Sequence, residues 1–157
     1  MRLWPLAILD QLPRQQLLGQ HRECCALRGK GWGRKHATVD YVFRHTLGHL
    51  YEYHRQVLGE MVKRGYGVDP HWYNRLYRGK RIKPALLQET GIYVRHEGDR
   101  IYPEHDTAYL DACIANLAAK GVKIDRKKAM RKINPPPPPP PKRLAPGSNG
   151  HEEKGKG

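Results

Sequence analysis

The stretch PRQQLLGQHRECCALR (residues 13–28) decides how this chain folds. Leu17, Leu18, Cys24, Cys25 and Leu27 return at spacings of three, four or seven residues, so they share one face of a helix. Pro13 suits the helix start, and Gly29, Gly31 and Gly33 break it. Gln16, Gln20, Arg22 and Glu23 then fall on or near the opposite side. Glu23 is the one carboxylate of the stretch, with Arg22 before it and Arg28 just beyond. That is either a solvated charged face or an acid held among cations for an anionic ligand.

Two further helices follow by the same periodicity. Phe43, Leu47, Leu50, His54, Val57, Leu58, Met61 and Val62 form a stripe over about Asp40–Arg64, stopped by Gly65. Tyr109, Leu110, Cys113, Ile114 and Leu117 mark a helix over roughly Asp106–Lys120, stopped by Gly121. Residues 1–12 read as extended or irregular, with Trp4, Leu6, Ile8 and Leu9 available to the core. Prolines and glycines divide residues 66–103 into turns and short pieces, and the basic run 123–132 reads equally as helix or as mobile chain. The expected fold is all-α, a compact three-helix bundle with irregular connections. The folded domain is expected over 1–133, followed by a disordered proline-rich tail over 134–157. Its seven prolines, Pro135–Pro141, favour polyproline II and offer a site to a polyproline-binding partner.

Composition narrows the partner. In 157 residues, 29 Lys and Arg face 15 acids, a formal charge of +14, which favours a polyanion, above all nucleic acid. The loop Arg28–His36, RGKGWGRKH, sets cations around Trp32. Its glycines admit close backbone approach, its cations suit phosphates, and the indole can either stack on a base or fold back onto the core. Cys24, Cys25 and Cys113 lack CxxC spacing and suggest a reducing compartment, so the expected location is cytoplasmic, nucleoid-associated in a bacterium. No run approaches the roughly 18 apolar residues of a membrane span, and no membrane partner is expected. His45, His49 and Glu52 could share a helix face. Zinc hydrolases, however, place their Glu directly after the first His, where Thr46 stands here, so no metal is expected.

One chemistry needs few residues. A primary amine attacks the anomeric carbon of a deoxyribose, the base leaves, and the resulting imine acidifies the adjacent proton so that elimination breaks the 3′ phosphodiester. An N-terminal amine, with pKa about 7.7–8.0, is more often unprotonated than a lysine near 10.4. A carboxylate must handle protons, and cations must hold phosphates.

At this point the sequence resembles the pyrimidine-dimer DNA glycosylases of the phage endonuclease V type, in particular their cellular branch. The shared features are Met1-Arg2, Gln15-Gln16-Leu17 with Arg22-Glu23, and the triplet Arg34-Lys35-His36. Arg55-Gln56 with Lys63-Arg64-Gly65, and Tyr102-Pro103-Glu104-His105, also correspond, over about residues 1–120. The resemblance implies a three-helix bundle that cleaves DNA at cyclobutane pyrimidine dimers by glycosylase and abasic-site lyase steps. It implies the α-amine of Met1 as nucleophile, Glu23 as catalytic acid, and Arg2 and Arg22 holding damaged double-stranded DNA, with no cofactor and a monomeric chain. Gln16 stands where the family has a histidine. Ala26 replaces a phosphate-binding arginine, for which Arg28 is the expected stand-in. Trp32, Arg34 and Lys35 complete the expected DNA contacts. Tyr109 and Cys113 stand at family DNA-contact positions, and Tyr66–Tyr77 could compensate for an absent aromatic C-terminal segment. A related lesion or a bare abasic site is an alternative substrate. A non-catalytic nucleic-acid-binding module of the same fold is the alternative function.

Overall fold

The structure is a computed structural model that describes residues 2–34, 38–91, 100–134 and 137–142. These residues are helical and include no strand, so the fold is all-α. Three long helices form the frame: α1 (Arg14–Arg28), α2 (Leu47–Lys63) and α4 (Thr107–Ala119). A single-turn helix α3 (Leu87–Thr90) and an eight-residue α5 (Arg126–Ile133) complete the set. Residues 1–12 were expected to be extended or irregular, yet Leu6–Gln11 winds into a 3-10 helix that buries Ala7, Ile8 and Leu9.

The apolar stripes meet as their periodicity demands. Leu17, Cys24 and Leu27 of α1 pack with Leu50, Val57 and Leu58 of α2 and with Leu110, Cys113 and Leu117 of α4. Leu3, Ile8 and Leu12 close the core from the N-terminal side. Each large apolar side chain so buried contributes about 1.5–3 kcal/mol. The second helix begins later than its stripe suggests. Asp40–Arg44 is a 3-10 turn, His45 is extended, and Thr46 caps α2 by accepting from the His49 amide at 3.4 Å. Thr46, within the stripe between Phe43 and Leu47, was the available signal for that boundary. Val62, assigned to the buried stripe, is instead 53% exposed.

The basic run resolves in favour of helix. Asp125 caps α5 by accepting from the Lys128 amide at 3.1 Å. Asp10 receives Lys132 at 2.5 Å and Lys128 at 3.6 Å, while Arg126 pairs with Asp111 at 2.6 Å. These acids relieve the repulsion that made the segment ambiguous. Gln11 fixes the register, accepting from the Asp125 amide at 2.7 Å and donating to its carbonyl at 3.1 Å. Among the described residues, no helix is long and apolar enough to cross a membrane. Residues 137–142 are exposed and carry no helix; the rest of the expected tail, 135–136 and 143–157, lies outside the described residues.

Candidate nucleic-acid interface

The site begins with a residue assigned to the wrong side. Gln20 was expected on the polar face of α1, but it is 1% exposed. Its Oε1 accepts from the Trp4 amide at 2.5 Å and lies 2.6 Å from the Tyr53 hydroxyl. Its Nε2 donates to the Arg2 carbonyl at 3.1 Å. The Tyr53 hydroxyl also reaches the Trp4 carbonyl at 2.5 Å, and Tyr109 donates to the Leu3 carbonyl at 2.8 Å. Three side chains from three helices therefore hold residues 2–4 against α1. Tyr109, half-buried, serves as a tether.

Beside this anchored segment opens a cleft of about 540 Å³. Arg2, Gln15, Gln16, Gly19 and Arg22 line one side of it, and Thr38, Asn116 and Lys120 come from elsewhere in the chain. Three cations and no carboxylate are among its lining residues. Glu23, half-buried, stands one turn beyond Gly19 and seven residues beyond Gln16, on the same side of α1. The structure thus brings Arg2, Gln16 and Arg22 together and adds Asn116 and Lys120, which the sequence reading missed. Their i, i+4 spacing on α4 was the only signal that could have paired them.

Other expected contacts move. Arg28, the expected phosphate contact, is 2% exposed. Its guanidinium donates to the carbonyls of Trp72, Asn74 and Tyr77 at 2.9, 2.8 and 2.9 Å. It also donates to His54 Nδ1 at 3.0 Å and lies over the rings of Tyr51 and Trp72. Arg28 therefore clamps the 72–77 segment and does not face DNA. Nothing in periodicity could show this, because the carbonyls it grips lie more than 40 residues away. Trp32 takes the inward alternative: it is half-buried, edge-on to Phe43 at 5.2 Å. Arg34 stays exposed, donating to the Lys30 carbonyl at 3.0 Å. Met1, Lys35 and His36 lie outside the described residues.

The helical histidines do not assemble as a metal triad. His45 bonds Glu104 at 2.9 Å, His49 bonds Thr46 Oγ1 at 3.0 Å, and Glu52 pairs with Arg55 at 3.1 Å. A different group converges: ligand atoms of His21, Cys25 and His54 lie within 4.8 Å of one another. An arginine can only donate, so the Arg28 bond leaves the proton of neutral His54 on Nε2, which donates to His21 Nδ1 at 2.9 Å. A metal would need the lone pair on Nε2 that this proton occupies, so the three residues form a neutral hydrogen-bonded chain. Burial, then Arg28 and His21, holds His54 well below the usual imidazole range. Burial likewise pushes the Cys25 thiol up to about 12, far from a reactive thiolate.

Fold and cleft together define a helical protein with a cationic surface suited to a polyanion, an acid close by, and an N-terminal segment fixed alongside. Residues 1–74 match the family model described as pyrimidine dimer DNA glycosylase. This stretch carries α1, α2, Arg2, Arg22 and Glu23, and its match supports the family that the sequence resembles. The match stops short of α4 and of the 102–105 segment, which the resemblance had included. No curated protein and no solved structure matches the chain.

Proposed function

We propose that the protein excises pyrimidine dimers, or a closely related lesion, from double-stranded DNA and then cleaves the strand at the abasic site. Access to the sugar requires a kinked or extruded nucleotide, which costs a few kcal/mol in intact duplex and less at damage. The free N-terminal amine attacks C1′, the C1′–N bond breaks, and the base leaves with the proton that neutralises it. Opening of the sugar ring gives a protonated imine between the amine and C1′. Loss of a C2′ proton then breaks the C3′–O bond and releases the 3′ phosphate. Glu23 moves the protons at the sugar and offsets the cationic intermediate. Arg2, Arg22 and Lys120 hold the flanking phosphates. The chain works as a monomer with no cofactor.

The observation that carries this reading is the fixing of residues 2–4 by Gln20, Tyr53 and Tyr109 beside the cationic cleft. A solvent-exposed N-terminus usually frays. Residues 2–4, held by the buried Gln20 and Tyr53 and the half-buried Tyr109, suit a nucleophile next to them that must meet a sugar in a fixed geometry.

The test is borohydride trapping on protein with a native N-terminus. The substrates are duplexes carrying one cyclobutane thymine dimer, one abasic site, or no damage. A covalent adduct on the dimer, lost on acetylating the amine, is expected. Glu23→Gln should lower turnover by about 10²–10⁴ with DNA affinity nearly intact. An adduct on the abasic site alone would reduce the function to a lyase. No adduct on either duplex, despite salt-sensitive binding, would leave a non-catalytic DNA-binding module.

A further inference from the structure

A second basic groove of about 540 Å³ opens where the C-terminal end of α1 meets the segment 69–82. Four cations line it (Lys30, Arg78, Lys80 and Arg81) against one carboxylate, Asp69, which accepts from the His71 amide at 3.0 Å and ring at 2.7 Å. The groove is built, not incidental. Arg28 grips the carbonyls of Trp72, Asn74 and Tyr77 from within. Arg78 answers from outside, donating to the carbonyls of Arg28 at 2.7 Å and Gly29 at 3.0 Å. A Cβ at Gly29 would stand 3.0 Å from the Arg78 carbonyl, so the two chain segments meet as closely as glycine allows. Trp72 and Tyr77, edge to face at 4.8 Å, line the groove with them. Gly79, at φ +106°, turns the chain just before Lys80 and Arg81. Lys30, Lys80 and Arg81 are exposed and form no ion pair among the described residues.

The groove and the Arg2–Arg22 cleft are joined along α1. Gln15, Gly19 and Arg22 line the cleft, and Ala26 and Gly29 line the groove. Steps of four, three and four residues place Gln15, Gly19, Arg22 and Ala26 on one ridge of α1, and Gly29 caps its end three residues on. From Gly19 to Gly29 the ridge rises about 15 Å at 1.5 Å per residue. A duplex laid along this ridge, with one phosphate per 3.4 Å on each strand, would span about four base pairs over that length.

We infer that Lys30, Lys80 and Arg81 bind the phosphate backbone of the same duplex about four base pairs to one side of the lesion. The inference rests on damaged DNA being the substrate. It assigns to Lys80 and Arg81, beyond the 1–74 family match, a share in holding it.

The experiment compares full-length wild type with the triple variant Lys30→Gln/Lys80→Gln/Arg81→Gln. The charge-matched control is Lys123→Gln/Lys127→Gln/Arg131→Gln, three exposed cations on or beside α5. Anisotropy titrations on an undamaged and a dimer-containing duplex of 24 base pairs run between 50 and 200 mM salt. Three lost phosphate contacts should flatten the log K against log salt slope by about 2.7 for the groove variant. The control should keep its slope. Hydroxyl-radical footprints should lose protection about four base pairs to one side of the dimer and keep it at the dimer. Equal losses in both variants, or an unchanged slope in the groove variant, would overturn the inference. The slope on undamaged DNA needs no chemistry, so it reports on the groove whatever the trapping result, and trapping stands or falls without it.

Discussion

Replacing Arg28 with methionine separates its two readings. A phosphate-binding arginine at the surface would lose DNA affinity and leave stability nearly untouched. The observed Arg28 is buried with no carboxylate partner among the described residues. Its charge is met by three carbonyls, His54 and two aromatic faces. Charge-assisted hydrogen bonds contribute about 1.5–3 kcal/mol each, so the four together amount to about 6 kcal/mol at the low end. Arg28→Met leaves those acceptors behind, and water entering from the neighbouring groove restores part of what is lost. The net cost is about 3–5 kcal/mol. Urea titration should show that loss directly, and melting should fall by about 10–15 °C. Arg28→Lys should recover little, because one ammonium cannot span three carbonyls set for a planar fork. A methionine variant that melts within about 2 °C of wild type yet binds DNA poorly would refute the clamp and restore the surface reading.

Stability should also fall in acid. His54 is held well below the ordinary imidazole range by burial and Arg28, and His105 is held at about 3, chiefly by burial with a contribution from Arg100. Both are neutral when folded and protonate near 6.5 when unfolded, so the unfolded chain takes up more protons. Their stabilisation is full above about pH 6.5 and declines below it, for His105 by about 2 kcal/mol at pH 5 and for His54 in the same direction. Urea midpoints at pH 7.5 and 5 test this, and His105→Gln should remove about 2 kcal/mol of the difference. Two glycines of α2 should respond oppositely to alanine. At Gly48 a Cβ would collide with the Thr90 carbonyl, costing about 1–3 kcal/mol, whereas at Gly59 nothing lies within 4 Å and helix propensity should add up to about 1 kcal/mol. A Gly48→Ala protein as stable as wild type would refute the contact between α2 and α3.

Apolar periodicity, a local property, determined the three long helices and the all-α class, because each stripe needs only a core to face. Gly29, Gly65 and Gly121 marked their ends for the same reason. The order Met1-Arg2, Arg22-Glu23 was likewise legible, since a family resemblance is carried by sequence. Partnership across the chain was not. Gln20 and Arg28 look like surface residues of α1 until Trp4, Tyr53 and the 72–77 carbonyls come to meet them. The basic run at 123–132 could not choose helix until Asp10 and Asp111 arrived to neutralise it. Lys120 joined Arg2 in one cleft, and Lys80 joined Lys30 in one groove, only through folding. Burial and charge pairing depend on atoms distant in sequence. The tertiary structure therefore decided which polar residues hold the fold and which are left free to meet a ligand.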